Sequence, residues 1–529
     1  LLASSAASDV YKRQDMSRLT EPVTWIKILF LLPLAAAVSI VLLRGLPTCR
    51  DWLARDPLNR FRTERLLTKR AFLLVWGGIF LCWIPVLLAS WPGVYAYDAP
   101  YQMYQLLHDH QLMAHHPILH TLFLYGTLSF GERFLGSYEA GMAIYSVLQM
   151  LIMSAVFAYV WRCTARWRLS GSLQLLCILA FALLPTHSIF AVSATKDVLF
   201  TGAFTLCVAF GLDIVFDPAR FFASWKLQLR FCLALFFMFA LRNNGFYAFL
   251  LFVPFFLWTF RRYWKRALLL VLVCVCLQQL YFGPVHRLLN VADGNSREAL
   301  CVPIQQLSRA MMQASDQLTA EEKAQIEALI PNWRKYSSRT ADPAKNTFWT
   351  ERFKENPGEN LRLWATVGLK CPTVYVDAFL CNNFGYWYPD MIYPDPPAWH
   401  PYQEYRIASY EIAKRDDLLY LERQSKLPLL SWALEGFCYS VPHQWVPALS
   451  MLFSPGFMFW LLALYIAICW YQKRYIWITP AILLLALWAT TLLGPVVLLR
   501  YVYPLFTCMP LLMAMLLGHR PEQETGLPE

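Results

Sequence analysis

Apolar residues in this chain come in runs of about twenty, the length a helix needs to cross a lipid bilayer. Such runs lie near 24–44, 71–90, 139–161, 171–192, 197–216, 228–241, 246–260, 267–285, 447–470, 475–494 and 501–518. The pattern predicts an all-α polytopic membrane protein with about 11 transmembrane helices. The runs at 228–241 and 246–260 are short for a full span and predict thin, tilted or broken helices.

The basic residues orient the bundle. Clusters fall at Arg44–Arg70, Arg162–Arg168, Arg220–Arg230, Arg261–Arg266 and Lys473–Arg474, all on one side if each run crosses once. Lys and Arg mark the cytoplasmic side. Residues 117–131 are apolar enough to pass for a further span, but counting them would move the 162–168 cluster outside. They are therefore expected as an amphipathic helix lying at the outer interface, within one long outer loop at 91–138.

This divides the chain into an N-terminal transmembrane module (16–285), an extracytoplasmic insertion of mainly α character (286–446), C-terminal transmembrane helices (447–518) and a cytoplasmic tail (519–529). Residues 1–15 read as a non-native leader, with Met16 a plausible start. In the insertion, Thr319-Ala-Glu-Glu322 reads as a capping box, and 382–405 is a loop rich in Pro and aromatics.

Composition agrees: 57% of the 529 residues are hydrophobic and 15% charged, with mean hydropathy +0.39. The net charge of +11 is spread over the short clusters and not gathered in one patch, which argues for the positive-inside bias and against a nucleic-acid partner. Of 14 cysteines, ten lie in or beside apolar runs and read as small core residues. The other four, Cys301, Cys371, Cys381 and Cys438, lie in the insertion, where an even number permits disulfides.

Positive charge is scarce on the outer side, so its exceptions draw notice: Arg133, Lys196, Arg242 and Arg500. Asp98 follows a Trp-Pro-Gly turn in the first outer loop, where a carboxylate can act as a general base or simply cap the next helix. His115 and His116 close that loop before Pro117; they could bind a phosphate oxygen or donate a proton, though neighbouring histidines point apart and make poor joint metal ligands. Lys196-Asp197 opens an apolar run, where a lysine can hold an anion or snorkel. Arg242-Asn243-Asn244-Gly245 packs an arginine fork and two amides into one turn, suited to phosphate or to a plain polar connection. Arg500-Tyr501 precedes the last run; a charge at the membrane edge is a functional candidate. Gln305 and Arg309 share a helix face that could line a cleft or meet solvent, and Tyr386-Trp387-Tyr388 could stack on sugar rings or pack a loop. There is no P-loop, zinc spacing, GxSxG or dinucleotide fingerprint.

An acid in the first long outer loop, His116-Pro117 entering a helix, many spans and a late outer domain resemble the GT-C class of membrane glycosyltransferases. Lys196-Asp197, Arg242–Gly245 and Arg500-Tyr501 are similar to short signatures of a group of uncharacterised bacterial polytopic membrane proteins related to that class. The resemblance runs from residue 71 to about 518 in layout. It implies sugar transfer from a polyprenyl-phosphate carrier to a glycan, lipid or protein acceptor outside the cytoplasm, with Asp98 as base. Many members of the class carry two adjacent acids here; in this chain Ala99 follows Asp98 and the next acid is Asp109, which counts against a metal-bridged pair. The expected site is Asp98 as the catalytic group and His115, His116, Lys196, Asp197, Arg242, Asn243, Asn244, Arg500 and Tyr501 as substrate contacts, with the Lys and Arg side chains on the phosphate. Neither a nucleotide nor a redox cofactor is expected, because the activated lipid stores the energy; a divalent metal is left open and not predicted. A transporter or flippase of lipid-linked glycans is the alternative, and a surface assembly protein built around the insertion a third.

Overall fold

The computed structural model describes residues 43–60, 66–95, 98–294, 296–389, 418–439, 442–446 and 448–518, with Ile26, Leu29, Ile40 and Val41 besides. The leader, most of the first apolar run, the aromatic loop from 390 onward and the tail lie outside them.

Among the described residues the chain is all-α, with four isolated β-bridges and no strand. The longer helices are α1 (Lys69–Ala89), α2 (Asp98–Leu107), α3 (Ile118–Leu135), α4 (Tyr138–Arg166), α5 (Gly171–Leu183), α6 (Pro185–Ala191), α7 (Lys196–Phe216), α8 (Trp225–Leu241), α9 (Asn243–Thr259) and α10 (Trp264–Leu280). The insertion adds α11 (Cys301–Gln313), α12 (Ala320–Leu329), α13 (Pro357–Lys370), α14 (Pro372–Asn382) and α15 (Pro428–Tyr439). The chain closes with α16 (Pro455–Tyr471), α17 (Thr479–Thr491) and α18 (Tyr503–Leu517).

Among the described residues four helical stretches are long and apolar enough to cross a membrane: Lys69–Ala89, Tyr138–Arg166, Lys196–Phe216 and Arg261–Leu288. The pair α5 and α6, bent by 49°, makes a fifth if it counts as one span. Pro185 opens α6, and a proline inside a continuous helix would remove a backbone bond and clash with the preceding turn, so the run breaks there. Hydroxyl caps start several of these helices, each satisfying one of the orphan donors of a first turn. Thr68 accepts from Ala71 N at 3.2 Å, Ser137 from Ala140 N at 3.1 Å and Ser170 from Leu173 N at 3.5 Å. The runs at 228–241 and 246–260 become α8 and α9, each of 17 residues. At the α-helical rise each is about 26 Å long, slightly under the thickness of a bilayer core.

Three apolar cores hold the molecule. The largest fills the bundle between α1, α4, α5–α10 and α16–α18. A second binds α11 to α12, α13 and α14 within the insertion. The third is small: Tyr95, Ala99, Met103, Leu124, Leu128, Met142, Tyr145, Ala194 and Leu421 pack α2 against the α3–α4 hairpin, chiefly on α3.

The structure corrects two expectations. Residues 117–131 do form a helix, but α3 does not lie across the bundle. It folds back antiparallel along the first half of α4, bringing His120 and Phe123 onto Tyr145 with ring centroids 5.9 and 5.0 Å apart. Nor is it amphipathic, because Leu122, Phe130, Phe134 and Leu135 are exposed on its other side. Gln305 and Arg309 meet neither a cleft nor solvent: both are buried, Gln305 donating to Ser337 O at 2.8 Å and Arg309 paired with Asp377 and Tyr336. Of the two readings of the aromatic stretch, packing holds for Tyr386, which is fully buried. The capping box at Thr319 forms as expected. The four insertion cysteines form no disulfide; Cys301 and Cys371 donate instead to the carbonyls of Glu298 and Val367, both at 3.1 Å.

Candidate ion-pair site at one end of the bundle

Five chain segments meet at one end of the helices, and backbone hydrogen bonds between loops fix their register. Val94 N donates to Val192 O and Ala194 N to Val94 O, both at 2.9 Å, so the segment entering α2 is stitched to the segment entering α7. Gly93 makes this possible. Its φ is 143°, and a Cβ there would collide with Ser146 and Met142. Residues that carry a side chain rarely adopt such a backbone. In the same way Ala114 N and Ala292 O, then Ala292 N and Leu112 O, join the histidine segment to the start of the insertion at 2.8 Å each. Ala341 N donates to Pro495 O at 2.7 Å and ties the insertion to the loop before Arg500.

These stitches set side chains against each other. Asp98, the first residue of α2, receives Lys196 Nζ on Oδ2 at 2.9 Å. The carboxylate therefore faces the first residue of α7. The next residue, Asp197, points about 100° further round the helix. Its side chain is only 2% exposed. Its Oδ1 receives Arg242 Nη1 at 2.6 Å, its Oδ2 lies 3.4 Å from Arg500 Nε, and Thr195 Oγ1 donates to Oδ2 at 3.3 Å. Arg242 is the extended residue that breaks α8 from α9. Gly245 lets that junction close, since a Cβ there would stand 2.9 Å from Met238 and from the Phe200 ring. Tyr501 lies under both guanidiniums, its ring centroid 4.2 Å from Arg242 Cζ and 5.4 Å from Arg500 Cζ. Both distances fit cation–π attraction.

Burial raises the affinity of the Asp98 carboxyl for its proton, but Lys196, then His116 and Arg500, outweigh it and hold the group well below the ordinary carboxylate range. It is an anion at neutral pH. Burial, against the pull of Asp98 and with the push of Lys196, lowers His116 to about 3, so its ring is neutral. His116 Nδ1 lies 3.9 Å from Asp98 Oδ2 and, buried, has no hydrogen-bond partner. His115 lies beside it, with ring centroids 4.7 Å apart, and partial desolvation of its ring, followed by Lys196, also lowers its pKa.

Of the expected residues, the structure thus gathers Asp98, His115, His116, Lys196, Asp197, Arg242, Arg500 and Tyr501. Asn244 is turned away, donating to Thr490 Oγ1 at 3.4 Å, and Asn243 stands exposed on the first turn of α9. Asp197 is buried as the counter-ion of Arg242 and Arg500, so both arginines are engaged by it. Among the described residues no three His, Cys, Asp or Glu side chains group to hold a metal ion.

Sequence reasoning missed a second layer. His120 Nδ1 lies 2.8 Å from Gln102 Oε1, His120 Nε2 2.8 Å from Tyr145 Oη, and Tyr145 donates to Gln149 Oε1 at 2.8 Å. Gln149 Nε2 then reaches the carbonyls of Ala191 and Ser193 at 3.0 and 2.8 Å. This buried chain runs from the Asp98 helix to the turn before Lys196. Tyr386 does similar work for Arg500, donating to Val496 O and accepting from Leu498 N, both at 3.2 Å. Gln149 inside an apolar run is the signal that could have disclosed the first network, because a buried amide must find partners.

Comparison with curated proteins and with solved structures returns no match to this chain. A family model does match, over residues 107–526; it begins shortly after Asp98 and takes in every other residue of the cluster. Because that match covers well over half of the 529 residues, the chain belongs to the family it describes, a family of unknown function (DUF6020).

Proposed function

We propose that the chain is a membrane glycosyltransferase that moves a sugar from a polyprenyl-phosphate carrier to an acceptor outside the cytoplasm. In this reading about eleven helices cross the bilayer, and the ion-pair cluster and the insertion face the extracytoplasmic side. The observation that carries it is the convergence of Asp98, Lys196, Asp197, Arg242 and Arg500, from segments far apart along the chain, into one cluster at the end of an apolar bundle. Three cations against two carboxylates leave the cluster with one net positive charge, and a phosphodiester linking sugar to lipid carries one negative charge. The carrier's phosphate is held by charge-assisted hydrogen bonds. Asp98 takes the proton of the acceptor hydroxyl, the oxygen attacks the anomeric carbon, and the bond from that carbon to the phosphate oxygen breaks. The cations stabilise the charge gathering on the leaving phosphate.

The bent pair α5–α6 favours one other reading, a transporter or flippase of lipid-linked glycans, because broken helices are common in transporters. One assay separates the two. Proteoliposomes are given radiolabelled polyprenyl-phosphate sugars, with intact protein or Asp98→Asn. Transfer that the substitution abolishes supports the enzyme. Movement of labelled lipid between leaflets without transfer refutes it and leaves the flippase.

A further inference from the structure

The two acidic groups of the cluster differ in how firmly they are held. Asp197 is 2% exposed, locked between Arg242 and Arg500, whose side chains are 12% and 10% exposed. Asp98 and Lys196 form the open half of the site, at 33% and 17%. Lys196 is the most exposed of the three cations, and it is already bonded to the carboxylate assigned as the base. A carboxylate tied to an ammonium is a poor acceptor of protons. The resting site therefore masks the group that the reaction needs.

Resting on the glycosyltransferase reading, we infer that Lys196 is an exchangeable partner: the phosphate of an isoprenoid lipid takes its ammonium from Asp98 and so frees the carboxylate to work as a base. The backbone supports an exchange that moves one side chain only. The stitches at Val94, Val192 and Ala194 fix the entries to α2 and α7, and Gln149 holds the carbonyls of Ala191 and Ser193. Lysine suits the part, being a point charge on a flexible stem, where an arginine fork would be held by its geometry. When the ammonium leaves, His116 Nδ1 is the polar atom left beside Asp98 Oδ2, at 3.9 Å, buried and without a partner. It stands where a group steering the acceptor's proton onto the freed carboxylate would stand. Donor binding thus precedes base activation, and an acceptor entering an empty site meets a masked carboxylate.

The exchange makes Asp98 a competitor of the phosphate, so its removal should tighten lipid binding while stopping transfer. The test measures binding of farnesyl phosphate to the full chain in detergent, with farnesol and inorganic phosphate as comparators. Asp98→Asn is expected to bind farnesyl phosphate about tenfold more tightly than the native chain, and Lys196→Met about tenfold more weakly. In the Lys196→Met background the gain from Asp98→Asn should shrink below about threefold, because the contested cation is gone. Asp98→Ser repeats the comparison should the asparagine variant not fold, and a thermal midpoint for each variant separates lost binding from lost structure. Unchanged or weaker binding by Asp98→Asn overturns the exchange. So does an equal gain with and without Lys196, which would reflect net charge alone. Inorganic phosphate binding as tightly as farnesyl phosphate overturns the lipid part. A chain that shows the expected pattern but transfers no sugar keeps the exchange and loses the glycosyltransferase reading; one that transfers sugar without the pattern loses the exchange alone.

Discussion

Replacing Asp197 by asparagine keeps the shape of the side chain and deletes the one charge that two guanidiniums share. Asp197 is 2% exposed, with Arg242 at 2.6 Å and Arg500 at 3.4 Å. In the variant both cations stay buried with Tyr501 as their remaining common contact. Removing one partner of a buried pair costs about 3–5 kcal/mol, because the other charge is left desolvated. Tyr501 faces both guanidiniums before and after the change, so the cation–π contact offsets none of it and the loss stands at about 3–5 kcal/mol. Asp98→Asn gives the contrast, since Asp98 is 33% exposed and its partner Lys196 has a flexible stem. Water takes up the released ammonium, and the loss stays within about 1 kcal/mol. The assay is the fraction of detergent-solubilised protein that remains monodisperse on heating. Asp197→Asn should lower the midpoint by roughly 3–4 °C and Asp98→Asn by less than half as much. Adding Arg242→Met to Asp197→Asn should recover part of the loss, since it removes an uncompensated charge. A midpoint lowered no further by Asp197→Asn than by Asp98→Asn would refute the reasoning, and so would an Arg242→Met penalty equal in both backgrounds.

Two further outcomes follow from the supporting layer. Burial holds His116 and His120 neutral, each at about 3 against an ordinary value of 6.5, so the unfolded chain binds more protons in acid. Their stabilising share is intact above about pH 6.5 and falls as pH drops toward about 3, reaching about 2 kcal/mol lost per ring at about pH 5; thermal midpoints on either side of that window should differ, and His120→Gln should reduce the difference. A pH-independent midpoint across that window would sink the argument. Tyr386→Phe removes the hydroxyl that bridges Val496 O and Leu498 N. That leaves buried backbone groups unmet at about 1–3 kcal/mol; amide exchange at 496–502 should speed while the insertion core stays protected, and unchanged exchange there would exclude the clamp.

Lys196 and Asp197 show what the sequence disclosed and what it could not. The apolar runs made the helices legible, because their lengths and spacing are one-dimensional quantities that a bundle must respect. The same counting put Asp98, Lys196, Arg242 and Arg500 at one end, and there the structure pairs them. What counting cannot carry is direction. Adjacent residues on a helix diverge by about 100°, so Lys196 meets the first loop while Asp197 turns into the bundle, and one becomes half of an open pair and the other a sealed counter-ion. The errors have the same origin. Residues 117–131 had the composition of an interfacial helix, but the short turn at Gly136 and Ser137 folds α3 back along α4. Chemistry alone left Tyr386 open to stacking on a sugar or packing a loop, and it is the distant loop before Arg500 that decides for packing. A sequence states which groups are available near a surface; only packing decides which of them are already spent on each other. In this site that decision leaves Asp98 and Lys196 as the more exposed pair, the one the proposed exchange would divide.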